Sequence, residues 1–184
     1  MHDKKRKMKM KKLIIALMAM AMAVVANAAQ VKWTVGNVYV PDTTTKAENY
    51  LVYFVSSADY SYANATADLI DGDAAFVTTY GQASALTSST GMASATITSE
   101  AGNSETWTGY LVVFNAATVA DATLAYITVE GTKTTGATGQ AANLAFTSNA
   151  ASQSAANWHA VPEPTSGLLM LVGLAGLALR RRRA

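Results

Sequence analysis

The 184-residue chain has the length of one domain with tails, and its formal net charge of +2 is unevenly spread. Seven of the fourteen Lys and Arg fall between Lys4 and Lys12 and four more are Arg180, Arg181, Arg182 and Arg183, so residues 29–161 hold three lysines against ten acids, a net −7. That acidity argues against nucleic acid as a partner, and the absence of cysteine excludes a thiol nucleophile, Cys-ligated zinc and iron–sulfur clusters. Residues 1–28 have the order of a Sec signal peptide. A basic stretch ending at Lys12 is followed by an unbroken apolar run over 13–25, and then by Ala26-Asn27-Ala28. Ala26 and Ala28 are the small residues that a signal peptidase pocket accepts, so cleavage is expected after Ala28. The alternative is an uncleaved signal anchor, although the apolar run is shorter than the roughly 20 residues of a spanning helix.

Residues 29–147 read as a β-rich extracytoplasmic domain. Val31, Trp33 and Val35 alternate with polar or small neighbours, the period of a half-buried strand. Residues 50–55 are apolar on both faces and read as a central strand. Further strands are expected at 74–80, 92–99, 106–114, 124–130 and 143–147, separated by Gly, Asn, Asp and Ser clusters. A short helix is expected at 63–70, ended by Asp71-Gly72-Asp73, and one more helical turn at 118–122. The expected fold class is mainly β: an antiparallel β-sandwich with one or two short helices at its edge. The string Tyr50-Leu51-Val52-Tyr53-Phe54 returns as Tyr110-Leu111-Val112-Val113-Phe114, which fits either a duplication or two central strands with the same role. Residues 148–160, rich in Ala, Ser, Asn and Gln, read as a flexible linker.

Residues 161–184 have three parts in order. Val161-Pro162-Glu163-Pro164-Thr165 is extended, because each proline fixes its own φ and disfavours helix in its predecessor. A short apolar helix is expected over 167–179, and the Arg180–Arg183 cluster closes the segment as a stop-transfer signal. Thirteen helical residues span roughly 20 Å against a hydrocarbon core of about 30 Å, a poor match for a permanent tail anchor, which is the alternative reading. This arrangement resembles the PEP-CTERM sorting signal of Gram-negative bacteria. The resemblance covers about the last 24 residues. It implies recognition of Pro162, Glu163 and Pro164 by a membrane-embedded exosortase that removes the tail, with transient residence in the inner membrane and delivery to the cell surface or medium. The Sec translocon and signal peptidase are the other expected partners. The middle of the chain is similar, more loosely, to small Ala- and Thr-rich exported proteins found alongside such systems.

No catalytic constellation is legible between the signals, so the expected protein is not an enzyme and needs no cofactor. His159 is the one histidine after the signal peptide, and it lies in the expected linker with no partner for a Ser-His-Asp triad. Asp68, Asp71 and Asp73 form the densest acidic cluster, a weak calcium candidate that does not meet the EF-hand pattern and that a helix-ending turn explains for local reasons. Asn64-Ala65-Thr66 fits a glycosylation sequon by chance composition. Tyr60 and Tyr62, among polar neighbours, are the best candidates for exposed sugar-stacking rings, and exopolysaccharide is the ligand they imply. Alternating threonines occur at Thr43/Thr45, Thr96/Thr98, Thr106/Thr108 and Thr132/Thr134, but without the regular period of an ice-binding face. A surface or matrix protein leads, a carbohydrate-binding module follows, and a secreted hydrolase or ice-binding protein comes third.

Overall fold

The computed structural model describes residues 29–41, 44–136, 140–147 and 155–161. Its first sheet has three strands. The strand β1 (Ala29–Gly36) lies between β4 (Ala93–Ala101), antiparallel to it, and β8 (Ala142–Thr147), parallel to it. Ala29, Val31, Trp33 and Val35 of β1 and Ala142, Leu144 and Phe146 of β8 are buried, while Lys32, Asn143 and Ala145 are exposed. One face of this sheet therefore packs inward and the other meets solvent, the alternation that made these strands readable.

The second sheet runs β3 (Gly81–Leu86), β2 (Leu51–Ser56), β5 (Thr106–Phe114), β6 (Leu124–Ile127) and β9 (His159–Ala160), with β7 (Gly131–Thr134) also paired to β5. Its central strands β2 and β5 are antiparallel neighbours, with Val52 opposite Val113 and Phe54 opposite Leu111. Both are apolar on two faces because both faces are covered. Val52, Phe54, Leu111 and Val113 join Trp33, Leu144 and Phe146 between the sheets. Leu51, Val55, Tyr110, Val112 and Phe114 point the other way, onto helices α1 (Tyr62–Ile70) and α2 (Ala75–Tyr80) through Ala65, Leu69, Phe76 and Val77. The molecule has three layers, and the similar strings at 50–54 and 110–114 are its two doubly buried strands. Gly109 is part of that packing, since a Cβ there would overlap the Phe54 ring and the Val55 carbonyl.

A hydrogen bond joins the two sheets across the core: Trp33 Nε1 donates to the Ala83 carbonyl at 2.7 Å. Ala83 has a φ of +47° within an irregularity of the β2–β3 pairing. The irregularity turns this stretch of β3 out of regular register, and the buried indole N–H takes the Ala83 carbonyl. On the opposite edge of β5, β6 and β7 act as two halves of one partner strand. Thr128 stands at the joint, 1% exposed, where its N–H donates to Leu111 O and its Oγ1 accepts from Leu111 N, each at 2.9 Å. The side chain thus replaces a missing backbone acceptor.

Several expectations change. The sandwich is mixed rather than purely antiparallel, because β1 and β8 run parallel. The helices lie over the outer face of the larger sheet rather than at its edge. The strand expected at 74–80 is instead helix α2, which begins at Ala75: Asp73 Oδ1 accepts from Ala75 N at 2.8 Å at its start, and Phe76 and Val77 face the sheet. Residues 118–122 make a turn closed by Thr118 and Asp121 instead of a helical turn. Finally, residues 155–160 are not linker. Ala155–Asn157 form a 3-10 turn, Trp158 is 6% exposed, and His159 and Ala160 pair with β6. Residues 148–154 lie outside the described residues.

Candidate functional site

The signal-peptidase residues Ala26 and Ala28, the motif Pro162, Glu163 and Pro164, the helix expected at 167–179 and Arg180, Arg181, Arg182 and Arg183 all lie outside the described residues. Among the described residues no helix is long and apolar enough to cross a membrane. The approach to the motif, however, is well defined. Asn115, at the end of β5, accepts through Oδ1 from Thr123 N and Leu124 N, each at 2.9 Å, and so fixes the entry to β6. On the far edge of β6, Ala125 pairs with His159 and Leu124 with Ala160. Val161 N then donates to Thr123 O at 2.9 Å, and the Val161 side chain joins the core beneath the helices. Trp158 packs edge-on to Tyr50, with ring centroids 5.9 Å apart, and tilts against Tyr126 at 5.8 Å. The folded domain therefore extends to the residue that precedes Pro162.

Tyr60 and Tyr62 are half-buried packing residues rather than free rings. The Tyr60 ring is stacked between Phe76 and Tyr80, at centroid distances of 5.2 and 5.0 Å, and its hydroxyl donates to Asp68 Oδ2. Tyr62 lies edge-on to Tyr110, 5.4 Å away, and the Tyr110 hydroxyl donates to Tyr60 O at 3.0 Å. These contacts hold the helix layer onto the sheet. The Tyr60 phenol is pushed up to about 12, first by its hydrogen bond to Asp68 and then by desolvation, and burial raises Tyr110 further.

The three aspartates are used separately. Asp68 accepts from the Tyr60 hydroxyl, Asp71 is the C-cap of α1, and Asp73 Oδ1 accepts from Ala75 N ahead of α2. No group of three or more His, Cys, Asp or Glu side chains is placed to hold a metal ion among the described residues. His159 is half-buried within β9.

An open groove of about 400 Å³ lies where β2, β3 and β5 meet, lined by Ser56, Asp59, Gln82, Glu105, Thr106 and Thr108 beside Trp107. Gln82 Nε2 donates to Asp59 Oδ2 at 3.0 Å, and Glu105 Oε2 accepts from Gly102 N at 2.7 Å. Next to it, Thr106 pairs with Thr134 at 2.9 Å and Thr108 with Thr132 at 3.0 Å, so two of the threonine pairs noted in sequence form a four-residue array across β5 and β7. The Trp107 Nε1 atom is buried without a hydrogen-bond partner. Sequence reasoning missed this groove because its residues come from three separated stretches, joined only by the pairing of β2 with β3 and β5.

Two solved structures of the shaft pilin SpaA from Lactobacillus rhamnosus GG, one of them a mutant, are distantly similar. Identities are 9% and 10% and the TM-score is 0.26 for each. They cover 66% and 65% of this chain but only 51% and 48% of the pilin chains, so the likeness spans about half of the pilin. No curated protein matches the sequence. The PEP-CTERM protein-sorting motif family matches residues 160–183. That match begins at Ala160, inside β9, and takes in Pro162, Glu163, Pro164 and the arginine cluster. The chain thus carries a PEP-CTERM protein-sorting motif directly after a β-rich central domain.

Proposed function

We propose that this is an exported cell-surface or extracellular-matrix protein, delivered by Sec and processed at Pro162-Glu163-Pro164 by an exosortase-like membrane enzyme. The observation that carries the reading is the sorting-motif match at 160–183. The basic and apolar order of residues 1–28 supports export. The central domain acts by presenting its surface, without catalysis of its own, and the cysteine-free sequence with its single downstream histidine supports that reading. Replacing Pro162, Glu163 and Pro164 together with alanine is expected to leave the tail uncleaved and the protein in the inner membrane fraction. Unchanged processing and distribution would contradict the proposal.

A second reading, exopolysaccharide binding, is favoured by the polar groove. A saccharide needs acceptors and donors arrayed in an open site, and Asp59, Glu105, Gln82 and the threonine hydroxyls supply both. Glycan-array binding lost on Gln82→Ala and Asp59→Ala would support this reading. Binding that survives both substitutions, or no binding to any glycan, would count against it.

A further inference from the structure

The fold and the sorting motif share a boundary with no spacer. Val161 is 9% exposed and hydrogen-bonded to Thr123, and Pro162 is the next residue. Trp158, His159, Ala160 and Val161 thus form a strap that closes the β6 edge and is pinned at both ends by buried side chains. A processing enzyme binds its substrate as extended chain, commonly through main-chain hydrogen bonds on both sides of the bond to be cut. The main-chain groups on the N-terminal side of this motif are already engaged in the domain's own sheet. Cleavage of such a substrate proceeds through the fraction of molecules in which the segment has opened.

We propose that the strap 158–161 is a folded gate on processing: the enzyme takes the motif only when β9 has left the β6 edge. The proposal rests on the processing reading above and adds its control. The strap suits local opening, because β9 has two residues, lies at a sheet edge, and leaves β3, β2, β5, β6 and β7 paired when it departs. Trp158 sets how often it opens, since its ring must leave Tyr50 and Tyr126. The aligned competition between β6 and the enzyme for the same main chain makes processing rate a readout of strap stability.

The test uses the full-length chain in membranes of a host that removes such tails. Leu124 and Ala160 face each other across β6 and β9, and the protein has no other cysteine, so Leu124→Cys with Ala160→Cys locks the strap by a removable disulfide. The locked protein is expected to lose its tail roughly tenfold or more slowly than the wild type, and to recover when reduced. Wild type with and without reductant controls for effects on the enzyme. Trp158→Ala is expected to speed tail removal by about tenfold. Equal rates for the locked and reduced protein would overturn the gate. Failure of the underlying reading shows differently: a Pro162→Ala, Glu163→Ala chain is then processed like the wild type, or no chain loses its tail, and the gate falls with it.

Discussion

At the residue scale, Tyr60 shows how an aromatic side chain among polar neighbours becomes structural. Its ring fills the space between Phe76 and Tyr80, and its hydroxyl is tied to Asp68, so the helix layer is held by stacking and one charge-assisted bond. A pH dependence follows. The fold raises both the Tyr60 and Tyr110 phenols above 10.0, the value they take in an unfolded chain. It therefore favours their protonated forms, and this contribution is complete below pH 10 and lost as pH rises through the folded values. Urea midpoints should accordingly fall between pH 10 and 12. Tyr60→Phe should be less stable than the wild type at pH 8 and show a smaller fall across that window. Identical slopes would mean that Tyr60 does not titrate with the fold. The neighbours that define Tyr60 lie 16 and 20 residues away in a segment whose apolar residues fit strand and helix alike, which is why its role was not legible in sequence.

At the scale of elements, legibility follows from how much of a strand's surroundings is apolar. In β1 and β8 one buried face imposes strict alternation, and in β2 and β5 two buried faces give continuous apolar runs, so all four are readable. β3 and β7 carry little apolar side-chain surface. They are held by pairing with the central strands β2 and β5, a tertiary effect that leaves no local signature. β9 is missed for a related reason, since two strand residues cannot show a period. The available signal was Trp158, a large ring in an otherwise small and polar stretch. If residues 155–161 belong to the fold, Trp158→Ala should cost about 3 kcal/mol of unfolding free energy, as for other buried large-to-small substitutions. A protein ending at residue 147 should also be less stable than one ending at 161, by urea denaturation. Equal stability of the two would restore a linker.

At the scale of the whole molecule, charge and architecture divide the chain into parts with separate tasks. The acidic domain of residues 29–161, net −7, has three layers that consume most of its aromatic surface internally, leaving a polar groove and a threonine array on its exterior. Eleven of the fourteen basic residues stand at the two ends, and the sorting motif was readable because its chemistry is consecutive in sequence. The groove was not readable, because only the sheet order brings residues 56–59, 82 and 105–108 together. The proposed function requires that both ends be removed and that the domain persist outside the inner membrane. Intact-mass spectrometry of the protein from its native host, separated into membrane, surface and medium fractions, tests it most directly. A surface or medium species beginning at Ala29 and ending near Pro162 to Pro164, with or without an added group, is the predicted result. An inner-membrane species that still carries Arg180 to Arg183 would contradict it.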